Sequence, residues 1–103
     1  MACRALPLAA APWAPGGHPL ERKKTVAGTG VTLLEFAPGF VDPAWCPRGH
    51  AGLVLAGELE LILDGDEVVR VAAGDAFELD PGTRHRARNP GAAPVRLFIH
   101  SWE

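Results

Sequence analysis

Alternation of apolar and polar residues is clearest in the middle of the chain. Residues 58–63 read Glu-Leu-Glu-Leu-Ile-Leu, a pattern typical of a strand with one buried face, and Asp64-Gly65-Asp66 behind them is a turn sequence. Further strands are predicted between turns that contain glycine or proline. Their ranges are 31–36, 52–56, 68–71, 76–79, 83–88 and 95–101. Seven or eight short strands without a helical repeat predict an all-β sandwich or small barrel.

The same alternation predicts which side chains face the interior. If His85 points inward, Ala87 and Asn89 do too. The three arginines at the alternate positions, Arg84, Arg86 and Arg88, then face outward. Eight of the 12 acidic residues lie between residues 58 and 80, so cross-strand pairs with Glu58, Glu60 or Glu78 would neutralise this arginine stripe. With a net charge of −2, we expect no nucleic-acid partner. The leucines of 58–63 would share the inner face: Leu59, Leu61 and Leu63.

The chain of 103 residues is long enough for one domain. Prolines and glycines dominate its start, so we divide it into an N-terminal arm over 1–24 and a barrel over 25–103. The prolines also interrupt the apolar start, which makes a poor signal peptide, and no apolar run is long enough to span a membrane. Nothing in the spacing of Cys3 and Cys46 demands a bridge, so we expect two free thiols in a reducing, cytoplasmic compartment.

Few residues remain that could carry chemistry. Ser101 is the single serine, without the Gly-x-Ser-x-Gly motif of a hydrolase, and no phosphate-binding glycine loop or Cys-x-x-Cys motif occurs. His50 and His85 each stand at the end of a strand beside a turn, where a barrel places its ligand-binding groups. A tight bend over residues 47–49 would turn Cys46 toward His50. One thiolate and two imidazoles would form a three-ligand metal site with an open position. Sulfur with nitrogen favours zinc, with iron, nickel or copper as alternatives.

The sequence around these residues resembles the cupin family of small β-barrels. The second cupin motif, Gly-x5-Pro-x-Gly-x2-His-x3-Asn, is matched by Gly74, Gly82, His85 and Asn89, with the proline displaced by one position. In the first motif, His50 stands where the family has glutamate, Cys46 where it has the second histidine, and Ala44 replaces the first. The resemblance implies a single-domain antiparallel barrel, a double-stranded β-helix of jelly-roll type, often dimeric and often metal-binding.

The leading hypothesis is therefore a homodimeric cupin that binds a divalent metal ion and a small organic ligand. The predicted cavity wall is apolar: Leu33 or Leu34, Phe36, Val54, Leu61, Phe77, Leu97 and Ile99. Trp45 near the rim, Arg48 with its planar fork for a carboxylate, and Asn89 are the candidate ligand-binding residues.

Two alternatives stay open at this point. The first is a binding or sensory module that recognises a small ligand without a metal and without turning it over. The second is thiol chemistry by a Cys46–His50 pair, which needs a thiolate of lowered pKa. The reaction, if there is one, does not follow from the sequence, because one fold supports many functions.

Overall fold

Nine antiparallel strands in two sheets form the structure, a computed structural model that describes residues 2–102. The strands are β1 (Ala14–Pro15), β2 (Glu21–Thr25), β3 (Val31–Phe36), β4 (Gly49–Ala56), β5 (Glu58–Leu63), β6 (Val68–Ala72), β7 (Ala76–Leu79), β8 (His85–Arg88) and β9 (Val95–Trp102). The larger sheet has the order β1-β2-β3-β9-β4-β7, and the smaller one has the order β6-β5-β8. The all-β single-domain fold expected from the sequence is confirmed.

The hydrophobic core lies between the inner faces of the two sheets. Its buried members come from both sheets and from the segment that follows β3: Phe36, Phe40, Val54, Leu59, Leu61, Val71, Leu79, Ala87, Val95 and Leu97. The rings of Phe36 and Phe40 are stacked at 4.1 Å, so the segment after β3 is fixed to the larger sheet. Burial of these side chains from water is the main force that holds the two sheets together.

The predicted strands are confirmed, with shifts at their ends. The range 52–56 is the second half of β4, which begins at Gly49. Strand β8 begins only at His85, because the Thr83 amide donates to the Asp80 carbonyl and closes a turn there. Inward orientation is confirmed for His85 and Asn89, each only 4% exposed.

The three outward arginines in β8 and just before it each bind a neighbouring residue. Arg88 forms an ion pair with Glu60 on the adjacent strand β5, Arg84 pairs with Asp64, and the Arg86 guanidinium donates to the Asp42 carbonyl. Arg88 and Arg70 together cover Glu60 and leave it only 2% exposed. Their guanidinium groups, Arg88 first, lower the pKa of the Glu60 carboxyl. The predicted neutralisation of the arginine stripe by cross-strand acids is confirmed for Glu60, the partner of Arg88.

The predicted N-terminal arm contributes two strands to the larger sheet. Strand β2 pairs with β3 from Glu21 to Thr25 and so spans the boundary placed at residue 24. Trp13, just before β1, packs against the Arg22 guanidinium at 4.1 Å from the ring centroid. The charged residues 21–24 therefore belong to a paired strand of the larger sheet, and the division at residue 24 stays only a prediction.

Two sequence predictions about the protein's surroundings also stay predictions. Across residues 2–102 there is no helix with the length and apolar character needed to cross a bilayer. The predicted homodimer and the predicted cytoplasmic location are not tested by the structure. Leu53 and Leu55 of β4 expose 38% and 48% of their surface, which is apolar area available for a dimer contact.

Candidate metal centre

Cys46 is held in place by the backbone of β8. The segment between β3 and β4 runs antiparallel to β8, and the amides of Cys46 and His85 each donate to the other residue's carbonyl, at 2.9 and 3.1 Å. This isolated β-bridge fixes the thiol beside the first residue of β8. Since Pro47 and Gly49 follow Cys46, the chain then bends directly into β4.

His50 reaches the same point from the larger sheet. It is the second residue of β4 and pairs with Ser101 of β9 on one side and Leu79 of β7 on the other. Its half-buried side chain lies against His85, with ring centroids 5.0 Å apart and planes at 83°. The two histidines thus come from different sheets and meet edge to face.

The thiol and the two imidazoles form one cluster. One ligand atom from each of Cys46, His50 and His85 lies within 4.8 Å of the others. The Cys46 Sγ and His50 Nε2 atoms are 3.6 Å apart. In tetrahedral zinc, ligand atoms at their usual metal distances are separated by roughly 3.5 Å. The convergence that the sequence predicted is confirmed as geometry.

Both imidazoles have a hydrogen-bond partner on Nδ1. His85 Nδ1 lies 2.9 Å from the Thr83 carbonyl oxygen, and because a carbonyl only accepts, Nδ1 carries the proton. The lone pair of neutral His85 is then on Nε2. His50 Nδ1 lies 2.7 Å from Ser101 Oγ, and donation to that oxygen leaves the lone pair on Nε2, which faces Cys46. Partners of this kind orient metal-binding histidines in proteins.

The electrostatic environment keeps His50 uncharged. Burial, followed by the charges of His85 and Arg48, lowers the pKa of His50 from 6.5 to about 4. At neutral pH the ring is a neutral imidazole, the form that binds metal. The three side chains therefore fit a divalent ion chemically as well as sterically, and a fourth position on the cavity side would stay open to a ligand.

The cluster lies in the wall of a cavity of about 180 Å³ between the two sheets. Most of the wall is apolar: Leu34, Phe36, Leu59, Leu61, Phe77, Leu79, Ala87, Leu97 and Ile99. Two carboxylates, Glu21 and Asp42, also line it. The apolar wall predicted from the sequence is confirmed apart from Val54, which is buried in the core but does not line the cavity.

The three residues predicted to bind the ligand do not line this cavity. The Trp45 ring packs against the guanidinium groups of Arg84 and Arg86, each 5.5 Å from its centroid, and Arg48 is exposed. Ligand binding by Trp45 and Arg48 therefore stays a prediction.

Ligand binding by Asn89 also stays a prediction, and its hydrogen bonds give the side chain a structural role. Its side-chain amide donates to the carbonyls of Phe36 and Ala93, at 3.0 and 2.8 Å, and its Oδ1 accepts from the Gly91 amide. With both hydrogens donated, it closes the turn after β8 and fastens it to β3. Its position in the motif indicated a site residue, but its contacts are those of a structural one.

Asp42 and Ser101 lie at the site without a sequence motif that indicates it. As the single serine, Ser101 is a candidate only for a nucleophile in the sequence, and its contact with His50 depends on the β4–β9 register, which alternation alone does not determine. Asp42 has no motif, although an acid between Phe40 and Cys46 in a segment otherwise rich in proline and apolar residues was a signal that could have been used.

Comparisons with known proteins agree with this architecture. A family model described as a cupin domain matches residues 32–101. Among solved structures, KdgF from Halomonas sp. has 26% identity and a TM-score of 0.70, over 90% of this chain and 89% of that one. A cupin-superfamily sugar phosphate isomerase from Silicibacter pomeroyi has 17% identity and a TM-score of 0.75, over 97% of this chain and 76% of that one. The cupin domain of Schizosaccharomyces pombe Cnp3 has 16% identity and a TM-score of 0.74, over 91% of this chain and 69% of that one. No curated protein sequence matches the chain.

Proposed function

The chain belongs to the cupin family, and on that premise we propose that it binds a divalent metal ion through Cys46, His50 and His85 and a small organic ligand in the adjoining cavity. The observation that carries the proposal is the convergence of three ligand atoms within 4.8 Å at the wall of that cavity. A cluster on the open surface would offer a metal site but no cavity for a ligand. This cluster offers both.

Zinc is the metal that the donor set favours, because one thiolate and two neutral imidazoles are its ordinary ligands. When bound, such an ion acts as a Lewis acid that polarises an oxygen or activates a water at its open position. The protein's own contribution is orientation: the Thr83 carbonyl and Ser101 hydroxyl fix the rings of His85 and His50. The apolar wall excludes water from the ligand's body and so strengthens its polar contacts.

Metal analysis of protein purified without a histidine tag tests the proposal. We expect about one zinc per chain, loss of the metal in His85→Ala, and loss of the sulfur-to-cobalt charge-transfer absorption of the cobalt-substituted protein in Cys46→Ser. Cys3→Ser is the matched control, since Cys3 is an exposed free cysteine outside the cluster. A chain that contains no metal as purified and takes up neither added zinc nor added cobalt would contradict the proposal.

One observation favours a second candidate, a binding module that needs no metal. The Cys46 thiol is already hydrogen-bonded to His50 Nε2, and among the described residues no buried side-chain nitrogen or oxygen lacks a partner. Such a module would be stabilised thermally by its ligand to the same extent with and without a chelator. The metal-binding proposal expects chelation to remove that stabilisation.

A further inference from the structure

The cavity has a second polar group in addition to the metal cluster. Asp42 lines the wall on the segment between β3 and β4, the same segment that carries Cys46. Its amide donates to the Ala87 carbonyl at 2.9 Å, and its Oδ2 accepts from the Ala87 amide at 2.8 Å. Because Ala87 belongs to β8, these two bonds fix the carboxylate against the smaller sheet.

The distance between Asp42 and the metal cluster can be derived from strand β8, because both are bonded to residues of that strand. Ala87 and His85 are two residues apart on one face of that strand, which places Asp42 roughly 7 Å along the wall from the cluster. The two groups therefore face the same cavity from points that a short ligand can span. The remainder of the wall is mainly aliphatic and aromatic.

Within residues 2–102 the Asp42 carboxylate forms no direct ion pair, unlike Glu35 and Glu60. Glu35 forms ion pairs with Arg22 and Arg96, whereas no arginine, lysine or histidine nitrogen of the described residues lies within 4 Å of the Asp42 carboxylate. Arg86 binds the backbone carbonyl of Asp42 instead. Burial raises the pKa of Asp42 and outweighs the Ala87 amide and the more distant charges of His85, Arg86 and His18, which lower it.

We propose that the ligand of this cavity is a small molecule with a metal-binding head at one end and a protonated amine at the other, and that Asp42 receives the amine. The inference rests on the proposed function, because the metal cluster supplies the site for the head. Glu21 also lines the cavity and adds negative charge, so the wall disfavours a ligand with an anionic tail.

The size of the cavity limits the ligand. A volume of 180 Å³ holds about six water-sized groups at roughly 30 Å³ each. A short ω-amino acid such as 4-aminobutyrate has this size, with a carboxylate for the metal, an apolar chain for the wall, and an ammonium group for Asp42. Valerate and glutarate have the same head and a neutral or an anionic tail.

The experiment compares these three probes on the cobalt-substituted protein, with binding followed through the cobalt absorption. We expect 4-aminobutyrate to bind at least about ten-fold more tightly than valerate, because a hydrogen bond between charged groups contributes an affinity gain of that size. Glutarate should bind most weakly. In Asp42→Asn the amide oxygen can still accept from the Ala87 amide, so cobalt binding should persist while the preference for 4-aminobutyrate disappears. Asp64→Asn, on an exposed acid outside the cavity, is the control and should keep the preference.

A metal-free arm distinguishes failure of the inference from failure of the proposed function. Butylammonium should stabilise the metal-free protein thermally more than 1-butanol does, and Asp42→Asn should abolish the difference. If cobalt does not bind but butylammonium stabilises in this way, the proposed function fails and the role of Asp42 stands. If cobalt binds but valerate binds as tightly as 4-aminobutyrate, or Asp42→Asn leaves the preference intact, the inference is overturned. If cobalt does not bind and butylammonium does not stabilise the protein, both the proposed function and the inference are overturned.

Discussion

His50 and Ser101 are joined by a hydrogen bond of 2.7 Å between Nδ1 and Oγ, although 51 residues separate them in the chain. The contact exists because the two residues are register partners on β4 and β9. It determines which nitrogen of His50 faces Cys46, since the ring cannot rotate without losing the bond. Ser101 is therefore a positioning residue for the metal cluster.

We expect Ser101→Ala to weaken metal binding without unfolding the protein. Loss of an outer hydrogen bond to a metal-binding histidine lowers metal affinity by about 10-fold to 100-fold. Competition with a chelating dye measures the affinity, and circular dichroism checks the fold. Thr83→Ala is the control, because His85 is oriented by the backbone carbonyl of residue 83, which that substitution retains. Equal affinities in both variants and the unmutated protein would remove the positioning role of Ser101.

The low pKa of His50 predicts how the stability of the metal-free protein depends on pH. Between about pH 4 and 6.5, the unfolded chain binds a proton at His50 that the folded chain does not bind. The free energy of unfolding therefore falls as the pH is lowered through that range. Glu35 and Glu60 have lowered pKa values, so they too remove stability as acid protonates them, but below the ordinary value of 4.5.

The difference between the unmutated protein and His50→Gln isolates the histidine. We expect the variant to lose less stability than the unmutated protein between pH 6.5 and 4, as measured by urea unfolding in the presence of a chelator. Parallel pH profiles for the two proteins would show that His50 titrates normally in the fold.

The strands and the inner face were predictable because alternation indicates which face of a strand packs on the interior. It does not predict that Glu60, on the outer face of the same strand, is covered by its arginine partners. Leu59 and Leu61 are 0% and 4% exposed, as the Glu-Leu-Glu-Leu pattern indicated. The meeting of Cys46, His50 and His85 was predictable from their places at strand ends and turns, although metal binding itself stays a prediction. Alternation does not determine which strands become neighbours or in which register. For that reason the contacts of Ser101 with His50 and of Asp42 with Ala87 could not be predicted.

The role of Asn89 can be tested by separating stability from metal binding. In Asn89→Ala the carbonyls of Phe36 and Ala93 lose a donor, and the Gly91 amide loses an acceptor. We expect the free energy of unfolding to fall by about 2 kcal/mol, the usual cost of leaving buried polar groups unpaired, with metal affinity unchanged. Asn89→Asp retains the acceptor for Gly91 and should be destabilised as well, because it loses both donated bonds. A variant that keeps its stability but loses ligand binding would contradict the structural role and place Asn89 in the ligand site.

The shape of the cavity depends on Gly52, which pairs with Phe77 across β4 and β7. A Cβ atom at residue 52 would lie 2.5 Å from Cζ of the Phe77 ring and 3.1 Å from the Ile99 side chain. Both neighbours line the cavity, so Gly52→Ala must displace the ring within it. We expect a loss of about 1–3 kcal/mol in the free energy of unfolding, the range seen for overpacked cores, and weaker ligand binding.

A compensating substitution separates this steric effect from a backbone effect. Adding Phe77→Leu to Gly52→Ala removes the ring atoms that the new methyl group meets, so part of the lost stability should return. Gly17→Ala is the control, because the nearest atom to its Cβ would be a Glu21 carboxylate oxygen at 3.9 Å, an ordinary contact. If the double variant is no more stable than Gly52→Ala alone, the glycine is required for its backbone rather than for the space it leaves to Phe77.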